Sequence, residues 1–392
     1  MLSPTSSRHA KRSAFRWNCT AVLSLLVFTL PLRAQEPCPG DLDGDNEVTV
    51  AELVRAVNAS LNGCSTTAGE WTVEKRIDIP GTVRAIVADA GGSTAYVSTG
   101  TALVLVDLAT RQATKSVPFE THFSTAILVD AIDPTGSLLS SHAFYGAGVT
   151  RLADLTQAGS LSATGIGRTT FANGSWYLPS PNMGVLITAK SDGSGRRDLN
   201  PRPGAFPGGD AAIPRIAAAS PDGSVVVFDD ELRGVIYAVD TATNAIGATI
   251  VVGFRPAAIF LPDRSHAIVV GDGVIAVADL EVTGSIPRIT HSAFLAGQVQ
   301  DEAFSTRSAI VIDRSYQTLV VIKAPVGGED FPNPTPPELG FVNVESGAVS
   351  NSMVIDIPDI QANYALELLP DGQTVMVGAG QSVYFIRSNT PA

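Results

Sequence analysis

Several things are scarce in this chain of 392 residues, and each scarcity closes off a class of function. Basic side chains number 26 against 38 acidic ones, for a net charge of −12. A protein of that sign repels nucleic acid and anionic membrane surfaces. No apolar run reaches the roughly 20 residues needed to cross a bilayer. Cysteine is limited to Cys19, Cys38 and Cys64. There is no Cys-x-x-Cys-His, no Gly-x-Ser-x-Gly and no His-Glu-x-x-His, so no local motif announces haem, an acyl-transfer elbow or a zinc hydrolase. His122, His142, His266 and His291 are scattered. A catalytic site assembled from distant segments would leave no such motif.

What the chain does contain is turn chemistry. It is 45% hydrophobic, with 36 Gly and 25 Pro and only 16% charged residues. Many short strands joined by tight turns produce that balance, and disorder does not.

Residues 1–34 read as a secretory signal peptide. Arg8, Lys11, Arg12 and Arg16 precede the apolar run 21–30, and Leu32-Arg33-Ala34 supplies a small residue before Gln35. An uncleaved anchor is the other reading of these residues. Removing the segment takes five basic and no acidic residues, leaving 21 against 38, a net of −17. Cys19 leaves with it, and the pair Cys38 and Cys64 in an exported chain reads as one disulfide, with two free thiols as the alternative. The expected location is extracellular or periplasmic, with no transmembrane segment after cleavage.

Between those cysteines, residues 41–52 place Asp41, Asp43, Asp45 and Glu52 at loop positions 1, 3, 5 and 12. Calcium requires six or seven oxygens converging from a tight loop closed by a bidentate carboxylate. Asp41, Asp43 and Asp45 would give side-chain oxygens, Glu47 its carbonyl, Thr49 a direct or water-mediated ligand, and Glu52 the closing pair. Thr49-x-x-Glu52 also fits a helix capping box. A cap alone leaves three alternating aspartates unexplained. Val50, Leu53, Val54, Val57 and Leu61 then mark a helix ended by Asn62-Gly63. Loop and single helix resemble half of a dockerin or EF-hand, with Gly44 at position 4. The resemblance implies a Ca2+ module over 35–70 and scaffold attachment as one role. With no helix before the loop, the Cys38–Cys64 bridge expected from the cysteine count would pin the module closed.

Over 71–392 a degraded repeat recurs. Its clearest copy is Ser220-Pro221-Asp222-Gly223 before the run 225–228, followed by a second run ending at Asp240. Registering on Pro221 marks Ala90, Pro134, Pro181, Pro262, Arg314 and Pro370, at intervals of 40 to 56 residues. Asp107, Asp154, Asp198, Asp240, Asp279, Asn343 and Arg387 form a second mark. Seven copies of about four strands indicate an all-β, seven-bladed β-propeller; a pair of β-sandwiches is the runner-up. The last copy is one strand short, and the orphan strand 71–79 would complete it and close the ring. The Pro-Asp-Gly and Val-Asp-Thr-Ala-Thr style resembles the bacterial YVTN or lactonase-like propellers.

Two insertions, 293–306 and 324–338, map to the face where the innermost strands begin; they are either functional loops or solvated Pro-rich excursions. Arg84, Arg215, Arg255 and Arg307 fall six or seven residues before their marks, around the channel mouth. Clustered guanidiniums bind carboxylate, sulfate or phosphate, or else they pair with local acids such as Asp301, Glu302 or Glu367. The expectation is a non-catalytic scaffold for a protein, glycan or small anionic ligand. The alternative is a lactonase-like or lyase-like hydrolase using channel residues from several blades.

Overall fold

The computed structural model describes residues 71–388, except 120–126, 144, 164, 202–211, 272–273, 281–288, 295–309, 314, 324–337, 348 and 355–363. The chain separates into two units, Met1–Thr67 and Ala68–Ala392, and every described residue belongs to the second. The expected leader, the calcium loop, Cys38, Cys64, Arg307 and most of both insertions therefore lie outside the described residues.

The strands are numbered in chain order. β1 is Trp71–Asp78. The first blade is β2 (Ala85–Ala88), β3 (Thr94–Ser98), β4 (Ala102–Asp107) and β5 (Gln112–Pro118), and the second is β6 (Leu128–Ile132), β7 (Leu138–Ala143), β8 (Gly146–Arg151) and β9 (Gln157–Ser162). The third is β10 (Thr170–Ala172), β11 (Ser175–Ser180), β12 (Val185–Lys190) and β13 (Arg197–Leu199). The fourth is β14 (Ala217–Ala219), β15 (Val225–Asp230), β16 (Val235–Asp240) and β17 (Ala245–Val251). The fifth is β18 (Ala258–Phe260), β19 (His266–Gly271), β20 (Val274–Asp279) and β21 (Ile289–Phe294). The sixth is β22 (Ile310–Ile312), β23 (Thr318–Lys323), β24 (Glu338–Asn343) and β25 (Val349–Val354). The seventh opens with β26 (Tyr364–Leu368), β27 (Thr374–Ala379) and β28 (Ser382–Ser388).

Each blade is a four-stranded antiparallel meander, and the seventh has the order β1-β28-β27-β26. The orphan strand thus closes the ring as expected, in register from Trp71↔Ser388 to Asp78↔Ser382. Trp71 also stacks on Phe341 of the sixth blade, ring centroids 4.0 Å apart, which ties the closure to its neighbour. The seven hydrophobic clusters each fill one interface between adjacent blades. Inner strands are covered on both faces, so they carry apolar runs such as 225–228. The outermost strand has one free edge, and Gln112–Pro118 is accordingly polar and exposed.

The third blade departs from expectation by one hairpin. Pro181 sits between the second and third strands, and the counterpart of the Pro221 turn is Asn173-Gly174. Those two residues take φ of 46° and 68°, the doubly left-handed geometry of a two-residue hairpin, for which Asn-Gly suffices and Pro is unnecessary. The run 185–187 is therefore third strand, and Asp198 lies in the fourth. Asp154 likewise falls within the turn after β8, and Arg387 falls inside β28.

At the turns between first and second strands an aspartate usually gathers the exposed backbone. Asp89 takes the Ser93 and Thr94 N–H groups, Asp133 those of Ser137 and Leu138, Asp313 those of Gln317 and Thr318, and Asp371 those of Gln373 and Thr374. The turns between third and fourth strands repeat the device. Asp107, Asp240 and Asn343 accept from the N–H and hydroxyl of Thr110, Thr243 and Ser346, three residues on.

Candidate functional site

In an antiparallel meander, first-strand starts, second-to-third turns and fourth-strand ends share one face of the ring, called here the upper face. Arg84, Arg215 and Arg255 all precede innermost strands and so belong to it. Arg84 donates its backbone N–H to Ser98 O at 2.8 Å. The Arg215 carbonyl accepts from Arg168 N at 2.7 Å, and the Arg168 carbonyl accepts from Ala217 N at 3.0 Å. A parallel bridge thus joins the starts of the third and fourth blades. Arg168 is the third blade's own counterpart of Arg215, hidden in the sequence because that blade's mark was placed one hairpin late. Arg168, Arg215 and Arg255 are exposed and Arg84 is half-buried. These starts fit tightly: a side chain at Gly167 would collide with the Arg215 carbonyl, and one at Gly271 with that of Arg255.

Arg215 is paired with a local acid, Nε lying 2.5 Å from Glu231. That acid is none of the three the sequence suggested. Asp230 meets Arg233 at 2.9 Å. Asp229, fully buried, accepts the Arg215 and Ile216 N–H groups at Oδ1, at 2.6 and 2.8 Å. Its Oδ2 has no hydrogen-bond partner among the described residues. Burial pushes this carboxyl up to about 7 against the opposing pull of those two N–H groups. Glu367, on the innermost strand of the seventh blade, reaches across to accept Ala88 N of the first at 3.1 Å. Burial also raises it to about 7, with the Ala88 N–H and the charge of Arg168 drawing it back. Its residue as a whole keeps some surface, so the enclosure is that of the carboxylate inside the ring.

Sequence alone also missed a buried network. Asp130 is the extra residue of a bulge in β6, between Val129 and Ala131. It is held by His142 Nδ1 at 2.8 Å and by the Thr169 hydroxyl of the next blade at 2.9 Å. His142 is the fifth residue of its second strand, the position of Asp229 and of Ser98, which accepts Val129 N. A polar residue at the fifth place of the second strand was the available signal.

The exposed large hydrophobic side chains among the described residues are Val73, Tyr145, Leu232 and Val251. Three of them share the upper face. Tyr145 and Leu232 sit in second-to-third turns, and Val251 ends a fourth strand, with its Cα opposite that of Val235. The ends of β21 and β23, and the starts of β22 and β24, place the attachment points of both insertions there too. Among the described residues no cluster of three or more His, Cys, Asp or Glu could hold a metal, and no helix is long and apolar enough to cross a membrane.

No family model and no curated protein matches the chain. Solved structures do. The β-propeller domain of Cps50 (Swd1) from Myceliophteria thermophila aligns over 82% of this chain and 100% of its own, at 12% identity and a TM-score of 0.63. A chain of the mitotic checkpoint complex aligns over 83% of this chain and 94% of its own, at 14% identity and a TM-score of 0.60. At that identity the likeness establishes the seven-bladed propeller, and only the fold.

Proposed function

We propose that this is an exported propeller acting as a non-catalytic scaffold, which captures an acidic protein partner on its upper face. The observation that carries the reading is the sharing of that face by exposed Arg168, Arg215 and Arg255 with Tyr145, Leu232 and Val251. Apolar anchors among guanidiniums are the composition of protein-binding surfaces. Much of the remaining polar chemistry there is spent on the scaffold itself: Asp229 holds the Arg215 and Ile216 N–H groups, and Asp130 holds His142 and Thr169. Kinship with the YVTN or lactonase-like propellers, the signal peptide and the Ca2+ loop of Asp41, Asp43, Asp45, Glu47, Thr49 and Glu52 belong to the same reading. They rest on residue patterns alone.

The test compares captured partners from the producing organism's culture supernatant, using wild type and an Arg168→Glu/Leu232→Glu variant. Both residues are exposed, so the melting curve should not move while the captured protein is lost. Capture that survives this variant but fails on altering the opposite face would sink the reading. EDTA should lower the melting of the 35–70 module and leave the propeller transition in place; an unchanged first transition removes the calcium loop.

A further inference from the structure

The third strand of a blade packs one of its faces against the blade before it. Val235, Tyr237 and Val239 do so in the fourth blade, and Val185, Ile187 and Ala189 in the third. The matching residues of β8 are Gly146, Gly148 and Thr150, opposite Ala143, Ser141 and Leu139 of β7. None of the three joins the cluster with the first blade, whose buried members are Ala85, Tyr96, Leu103, Val129 and Leu139. Where side chains are missing, a cleft of about 280 Å³ opens.

The usual reasons for a strand glycine do not apply at Gly148. Its φ lies outside the left-handed region, so any residue fits the backbone. An added Cβ would meet only Ser141 Oγ and Gly159 O, at 3.6 and 3.9 Å, whereas one on Gly159 or Gly271 would collide with a carbonyl of a neighbouring segment. The bulge after Val149 recurs in the fourth blade after Ala238, beside Tyr237, so it does not call for glycine either. What remains is the other use of a glycine within a strand, the close approach of a ligand.

The cleft walls are apolar: Leu103, Val117 and Phe119 come from the first blade, Ile127 precedes β6, and Leu155 closes the far side. Leu155 holds a φ of 63° at the turn position that Asn244 fills in the fourth blade. That geometry is strained for a bulky side chain. No Asp, Glu, Lys or Arg lines the cleft among the described residues. Ser141 turns its hydroxyl onto Gly148 O at 3.4 Å, and the His142 imidazole faces the third blade with Asp130 and Thr169. The cleft therefore offers apolar contact and no charge. An apolar cavity of about 150 Å³ admits benzene; this one has room for two fused rings.

We propose that this cleft binds a small uncharged molecule of two fused aromatic rings, laid against Gly148 and bounded by Leu103, Phe119 and Leu155. The site is separate from the arginine-bearing surface and would stand if that surface had no partner.

The probe is 2-methylnaphthalene, titrated by its fluorescence into the full chain, with 2-naphthoate as a control of like shape that carries a charge. Wild type should bind one equivalent of the hydrocarbon. Naphthoate should bind at least about a hundredfold more weakly, because nothing in the lining compensates a buried carboxylate. Gly148→Val fills the space with a strand-forming side chain; it should melt no lower than wild type and lose the hydrocarbon. Gly148→Ala takes up less of the space, should weaken binding by about tenfold, and serves if the valine variant does not fold. Gly247→Val, on the outermost strand of the fourth blade, should leave binding in place. Absence of saturable binding, equal affinity for naphthoate, or affinity unchanged in a folded Gly148 variant would each overturn the proposal.

Discussion

Two sets of carboxylates in this ring have been driven in opposite directions by their surroundings. At the turns, Asp107, Asp133, Asp154, Asp222, Asp240, Asp263 and Asp371 all sit below the ordinary range. Asp222 falls to about 2 because Ser220 and Ser224 donate to it. Inside the ring, Asp229 and Glu367 rise to about 7 because burial outweighs the N–H groups they receive. The turn acids bond mainly to residues two to five places away in sequence. The ring acids bond across much longer separations, Glu367 to Ala88 at 279 positions. Local hydrogen bonding in water favours the charged form; closure of a fold around a carboxyl favours the neutral one.

The sharpest way to break this contrast is Asp229→Ala. It leaves the Arg215 and Ile216 N–H groups without an acceptor and should cost about 3 kcal/mol by chemical denaturation. Asp229→Asn keeps an acceptor and should cost far less. Equal losses for the two would mean that the N–H groups find other partners.

The next effect is on pH. A carboxyl depressed in the fold stabilises it above the unfolded value of about 4, and loses that contribution as pH falls through the folded pKa. A raised carboxyl does the reverse: its contribution is fully present below about 4 and is lost as pH rises through about 7. Stability of the propeller should therefore peak at about pH 4 and decline from there to about 7, where Asp229 and Glu367 ionise in the fold. Asp229→Asn combined with Glu367→Gln should flatten the alkaline limb and spare the acid one. A flat profile from pH 4 to 8 in wild type would remove the distinction.

The smallest effect is expected at an exposed turn. Asp222→Ala should lower the melting temperature by less than Asp229→Ala, and the loss should shrink near pH 2, where the native carboxyl is itself being protonated. A loss independent of pH would point to the turn geometry in place of the charge.

Much of the ring was legible because its punctuation is local. Pro221-Asp222-Gly223, the Asp240 and Asn343 strand ends and the orphan strand at Trp71 each report on a few neighbouring residues, and they located the strands, most blade boundaries and the closure. The third blade was misplaced for the same reason: Pro181 carries turn chemistry as good as that of Asn173-Gly174, and nothing local says which hairpin it closes. That slip concealed Arg168 among the arginines at the inner-strand starts.

The sequence by itself determined an all-β chain of seven meanders and the arrival of arginines at the starts of inner strands, since strand period and turn residues act over short distances. Only the tertiary structure decided that Asp130, His142 and Thr169 meet, that Glu367 spans two blades, and that Gly146 and Gly148 leave a cleft. Each of those depends on what the neighbouring blade presents, and packing between blades has no imprint in any single stretch of chain.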